Sequence, residues 1–159
     1  MNVRILCVGK IKEKFYRDAL LEYSKRLSKY CSLEVIEVAD EKTSENASDT
    51  EIDMVKAKEG ERILKHIKDR DYVIALAILG KQQDSVAFSK FIENLGITGQ
   101  STIDFVIGGS LGLSDEVLKR SNYQISFSKM TFPHQLMRVI LLEQIYRAMR
   151  IMNNEPYHK

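Results

Sequence analysis

The sequence predicts an α/β protein: a parallel sheet covered by helices on both faces. Three observations predict it. Apolar runs rich in β-branched residues recur along the chain, stretches of helical period separate them, and turn residues with cap signals mark the joints. Strands that alternate with helices in this way form parallel sheets that need cover on each side. A length of 159 residues suits one domain, 1–159, with one core.

Val3–Val8 is a buried first strand. Lys12–Tyr30 carries Phe15, Ala19, Leu20, Tyr23 and Leu27 at helical spacing, with a basic outer face. Leu33–Val38 alternates apolar residues with glutamate and reads as a second strand, followed by a polar, acidic and mobile loop at Asp40–Ser48. Ser48 or Asp49 caps a helix that runs to about Lys68. Tyr72–Leu79 is a wholly apolar third strand, Gly80–Gln83 a loop, and Asp84 or Ser85 the cap of a helix to about Leu95. Thr102–Ile107 is the fourth strand, broken by Gly108-Gly109-Ser110-Leu111-Gly112. Ser114 caps a short helix to Arg120, Gln124–Phe127 is a short fifth strand and Ser128–Pro133 a loop. His134–Met152 is a long last helix and Asn153–Lys159 a tail. That last helix is apolar nearly all the way round, so it requires a second partner beyond the sheet: either the rest of its own chain or, as favoured here, a second copy.

Composition narrows the function. The chain is 44% hydrophobic and 29% charged, ordinary values for a globular protein. No apolar run approaches the roughly 20 residues that span a bilayer. Met1–Gly9 is too short and lacks the small-residue site of a signal peptide, which predicts a cytoplasmic protein without a membrane partner. Cys7 and Cys31 form neither a disulfide framework nor a zinc motif, and His66, His134 and His158 lack ligand spacing, so no metal is expected. Net charge is only +2, but residues 1–30 hold eight basic residues against three acidic, and residues 40–61 hold eight acidic against three basic. A basic end attracts a polyanion or is simply a solvated face.

Parallel α/β sheets bind ligands beyond the carboxyl ends of their strands. Three such ends are prepared: Leu76–Gly80, Gly108–Gly112 and Phe127–Pro133. The G-G-x-x-G spacing fits neither the dinucleotide fingerprint nor the Walker loop, in which Lys81 would need Ser or Thr after it and Ala75 would have to be glycine. The Phe127–Phe132 segment mixes apolar side chains with hydroxyls, suited to a flat heterocycle or to a tight structural connection. Arg138 can hold a phosphate or make a salt bridge, and His158 has the side chain best suited to proton transfer near neutral pH.

Longer motifs carry a resemblance. Phe105–Gly112, Leu118–Ser121, Ser126–Arg138, Glu143–Ala148 and Pro156-Tyr157-His158-Lys159, with Val8-Gly9-Lys10 and the Tyr23–Leu27 segment, are similar to the bacterial ribosomal RNA large-subunit methyltransferase H family from end to end. The resemblance implies a SPOUT α/β-knot fold with a carboxyl-terminal trefoil knot, a homodimer and S-adenosyl-L-methionine as cofactor. It implies methylation of N3 of pseudouridine 1915 in helix 69 of 23S rRNA, within the 70S ribosome. Carried over by position, Leu76, Gly108, Phe127, Ser128, Lys129, Met130, Thr131 and Phe132 form the cofactor pocket, while His158, Tyr157 and Arg138 are the candidates for catalysis. In that scheme His158 is base or proton relay, Tyr157 stacks on or bonds the target base, and Arg138 holds phosphate or a developing anion. The alternatives are a non-catalytic RNA-binding or ribosome-assembly factor on the same fold and a SPOUT methyltransferase for another RNA.

Overall fold

The apolar runs along the chain pair into one five-stranded parallel sheet. The computed structural model describes residues 1–159. The strands are β1 (Asn2–Val8), β2 (Ser32–Val38), β3 (Tyr72–Lys81), β4 (Thr102–Ile107) and β5 (Tyr123–Ile125), in the spatial order β2-β1-β4-β3-β5. The helices are α1 (Lys14–Leu27), α2 (Asp49–Leu64), α3 (Ser85–Ile97), α4 (Asp115–Arg120) and α5 (His134–Met152). No helix is long and apolar enough to cross a membrane.

Alternation along the strands divides the core between two faces. Val3, Ile5 and Cys7 of β1 join Phe105, Ile74 and Ile125 beneath α1, α3 and α5, around Leu27, Phe88, Ile92, Leu142 and Ile145. Leu6 and Val8 join Val73 and Val106 on the other face, under Ile63 of α2 and Val117 of α4. At the amino end of the sheet, Arg4 and Asp104 are ladder partners, and the guanidinium grips both carboxylate oxygens at 2.8 Å. Asp71 adds a contact at 3.1 Å. Burial of Asp104 pushes its carboxyl up, and Arg4 opposes that shift.

The differences from expectation lie at element ends and have local causes. Helix α1 starts at Lys14 because Ile11 is buried and its N–H donates to Glu37 Oε2 at 3.0 Å, which keeps the approach extended. Helix α2 stops at Leu64 because the next segment is held otherwise: Asp71 accepts from the Lys68 N–H at 2.8 Å and Arg4 donates to the His66 carbonyl at 2.8 Å. Strand β3 continues to Lys81, which pairs with Ile125 beyond a register shift. Strand β5 begins one residue earlier than expected and ends at Ile125, where the Ser126 hydroxyl turns back to the Ser128 carbonyl at 3.0 Å. The acidic loop is tied at its start, since the Glu41 N–H donates to buried Glu59 at 3.0 Å and Arg62 pairs with the Glu41 carboxylate.

Helices α2 and α4 touch through a glycine. A Cβ on Gly60 would stand 2.4 Å from Ser114 Oγ and 3.1 Å from Val117 Cγ2. Ser114 is also the cap of α4, accepting from the Val117 N–H at 3.3 Å. Gly60→Val therefore forces α4 outward and costs roughly 1–3 kcal/mol through overpacking. The expected result is a lower urea midpoint; an unchanged midpoint would show that α4 yields freely.

Candidate active site

Glycines and short side chains at the ends of β3, β4 and β5 leave a crevice there. It has a volume of about 400 Å³ and lies between Leu76–Ile78, Ile107–Ser110 with Gly112, Ile125–Ser128, Met130–Pro133 and the first residues of α5. Its turns are set by backbone geometry. Gly112 has φ +88°, and its N–H donates to the Gly109 carbonyl at 3.1 Å. A Cβ on Gly108 would lie 2.7 Å from the Gly112 carbonyl carbon, so a side chain there deforms the turn itself rather than merely filling the crevice. A Cβ on Gly80 would lie 2.7 Å from the backbone carbons of Gln124 and Ile125, so β3 can curl against β5 only with glycine at that point. The Ser126 N–H then bonds the Lys81 carbonyl at 2.9 Å, and the Met130 N–H donates to Ser128 Oγ at 3.0 Å.

No lysine or arginine lines this crevice. His134, at its edge, has its pKa lowered first by burial and then by nearby Arg138, so it stays neutral near pH 7. A cavity of this size suits a small ligand. Hydroxyls of Ser110, Ser126, Ser128 and Thr131 and apolar walls from Leu76, Ile107 and Phe132 suit a nucleoside carrying an aliphatic arm. A phosphate group would find no cation there.

Seven of the eight residues expected to form the pocket, Leu76, Gly108, Phe127, Ser128, Met130, Thr131 and Phe132, line the crevice. Lys129 does not. It is exposed and absent from the lining, because the turn between Ser128 and Met130 directs it outward.

Arg138 occupies a different place from the one its position suggested. It is 1% exposed, its Nη2 donates to the carbonyls of Val8 and Gly9 at 2.8 Å each, and its Nη1 pairs with Glu37 at 2.8 Å. Its Nε is buried without a partner. The guanidinium faces inward and clamps the end of β1 to α5, so it is not presented to a phosphate.

The tail folds back along α5. Tyr157 donates to Glu143 Oε1 at 3.0 Å and sits edge-on to Tyr146, with ring centroids 5.0 Å apart. Arg147 lies over the Tyr157 ring and bonds Glu143 at 2.6 Å and His158 Nδ1 at 3.2 Å. Because a guanidinium only donates, this contact uses Nδ1 as its acceptor. Burial, then the Glu143 carboxylate, pushes the Tyr157 phenol above its usual range, so it stays protonated near neutral pH. His158 lines a second cavity, about 580 Å³, which shares Ile125, Phe127 and Phe132 with the first. Glu143 and Arg147 stand in a family motif without a role of their own; their i, i+4 spacing resembles an ordinary helix surface pair, and only the returning tail gives them one.

The chain is similar to known proteins along its whole length. The family described as "Predicted SPOUT methyltransferase" matches residues 1–158. A Clostridium botulinum (strain Kyoto / Type A2) protein named Ribosomal RNA large subunit methyltransferase H is 66% identical over 100% of both chains. A Clostridium kluyveri protein of the same name is 61% identical over 100% of both chains. Among solved structures, a probable methylase family protein from Haemophilus influenzae Rd KW20 superposes with a TM-score of 0.54 at 12% identity, covering 99% of this chain and 70% of that one. A Legionella pneumophila protein solved in complex with the bound cofactor SAM gives 0.50 at 8% identity, covering 96% and 66%.

Arg138→Ala deprives the Val8 and Gly9 carbonyls of the guanidinium and leaves the Glu37 carboxylate with only the Ile11 N–H, at a cost of about 3 kcal/mol. Arg138→Lys does not restore it, since an ammonium lacks the fork that spans three acceptors. Chemical denaturation of both variants checks this; wild-type midpoints would show that the clamp is dispensable.

Proposed function

Because this chain belongs to the SPOUT methyltransferase family, among proteins named ribosomal RNA large subunit methyltransferase H, we propose that it methylates N3 of pseudouridine 1915 in helix 69 of 23S rRNA, using S-adenosyl-L-methionine. The observation that carries the reading is the crevice: three strand ends converge on it, its walls are apolar and hydroxylic, and no lysine or arginine lines it. That lining fits a sulfonium nucleoside and disfavours a phosphate-bearing cofactor. Bound there, the cofactor supplies a methyl group already activated by positive sulfur.

The rest falls to the chain. Leu76 and Phe132 wall the crevice, exposed Met130 stands at its mouth, and the backbone at Gly108, 127–128 and 130–132 orients the heterocycle. His158, across the shared wall of Phe127 and Phe132, handles the N3 proton. In the step proposed, Nδ1 exchanges its contact with Arg147 for the N3 proton, the imidazole becomes imidazolium as N3 takes the methyl group, and the proton then passes to water. Tyr157, protonated and fixed by Glu143, offers a ring face to the base. Arg138 acts as a positioning residue for α5.

The 70S ribosome in the cytoplasm is the proposed setting, since a single-stranded hairpin loop presents unstacked bases to a small protein. A homodimer completes the proposal. No residue of α5 is fully exposed, yet Leu136, Val139 and Ile140 are only partly covered, and Leu79, near the end of β3, is 97% exposed. The chain from β4 to α5 is proposed to form the trefoil knot, with β5 held inside the curl of β3.

Mass spectrometry of ribosomal RNA from cells with and without the gene tests the reading. Loss of one methyl group in helix 69 is expected, and an unchanged spectrum refutes it. His158→Ala should lower methyl transfer to ribosomes by about 100-fold while calorimetric affinity for the cofactor stays the same; wild-type turnover would remove His158 from the chemistry.

A further inference from the structure

The segment leaving the carboxyl end of β1 combines features the site has not used. Lys10, Lys12, Lys14 and Arg17 are all exposed within eight residues, against Glu13 and Asp18. Phe15, among them, is 65% exposed, although Leu20, Tyr23 and Leu27 of the same helix pack on the core. Its ring lies against that of Tyr16, with centroids 4.4 Å apart and planes tilted by 48°. A single exposed apolar side chain needs no explanation. An exposed ring braced by a second ring and flanked in sequence by four cations, of which Lys14 pairs with Asp18 at 2.7 Å, has the chemistry of a platform for single-stranded nucleic acid, in which bases stack and phosphates pair with the cations.

The segment is also held in register with the crevice. The Ile11 N–H bonds Glu37 at 3.0 Å, Glu37 pairs with Arg138, and Arg138 holds the carbonyls of Val8 and Gly9. Arg138 lies one turn from His134 and next to Met137, both of which line the crevice. The platform and the crevice are therefore joined by a short chain of charge-assisted bonds, buried at Arg138 and part-buried at Glu37, at the same end of the sheet.

We infer that Phe15, braced by Tyr16, is a stacking platform for one unpaired base of the RNA substrate, with Lys10, Lys12, Lys14 and Arg17 contacting the flanking phosphates. This rests on the proposed function and names the part of the substrate recognised beyond the reacting base. A second copy of the chain is the competing occupant of this face. A symmetric contact would set a segment with four cations and two carboxylates against itself, which makes the polyanion the better match.

The test uses the full-length protein with purified 70S ribosomes and, separately, a synthetic helix 69 RNA hairpin. Wild type, Phe15→Ala, Phe15→Leu and Phe15→Trp are compared for KM and kcat on ribosomes, affinity for the hairpin, calorimetric cofactor affinity and sedimentation. For Phe15→Ala and Phe15→Leu, KM should rise and hairpin affinity fall by about ten-fold, the scale of one lost base stack. Their kcat, cofactor affinity and sedimentation should not change, and Phe15→Trp should restore binding. Full binding by Phe15→Leu overturns the proposal, because leucine keeps the apolar contact and removes the stack. Altered sedimentation in Phe15→Ala overturns it in favour of a contact between copies. Wild type that methylates ribosomes while Phe15→Ala matches it in KM refutes the platform and leaves the methyltransferase reading standing. Wild type with no methyl transfer refutes that reading and the platform with it.

Discussion

One guanidinium holds the working end of this molecule together. Arg138 enters from the first turns of α5 and closes on the last carbonyls of β1 and on a carboxylate from β2. Backbone carbonyls at a strand end that water cannot reach must find donors. Here a single side chain from a distant segment supplies them, and in doing so fixes how the last helix meets the sheet. His134 and Met137, flanking it, take their places in the crevice wall as a result.

The charge distribution follows a division of labour. The crevice has apolar walls, hydroxyls and a histidine that burial keeps neutral near pH 7. Cations lie outside it, on the segment after β1, and in the Arg147 and Arg150 pairs that dock the tail. A low-charge pocket inside a basic approach separates holding a nucleoside from meeting a polyanion. Cys7, close to the clamp, is pushed up to about 11 by burial and remains an inert thiol beneath the sheet.

Much of the fold was legible because periodicity and caps agreed. Strand β4 and helix α5 have the bounds their patterns predict, and Ser48, Asp84 and Ser114 cap the helices they precede. The misses are places where a distant partner overrides a local signal. Helix α1 lost its first residues to Glu37, and β3 gained Lys81 because Gly80 lets it press on a strand more than forty residues away. Arg138 could be recognised as important but not as inward-facing, since its three acceptors come from β1 and β2. Lys129 belongs to the pocket only by its position in the family motif, and the tight turn at Ser128 leaves it exposed.

The curl of β3 around β5 bears on how the chain reaches its native state. The crevice needs residues 76–80, 107–112 and 125–133 in place together, and none of these stretches encloses a cavity alone. Pairings across such separations form slowly, because loop closure precedes any compensating contact. A ligand that recognises only the finished crevice binds native molecules and passes over partly folded ones, pulling the population toward completion. The occupancy of one crevice thereby sets part of the stability of the whole strand arrangement around it.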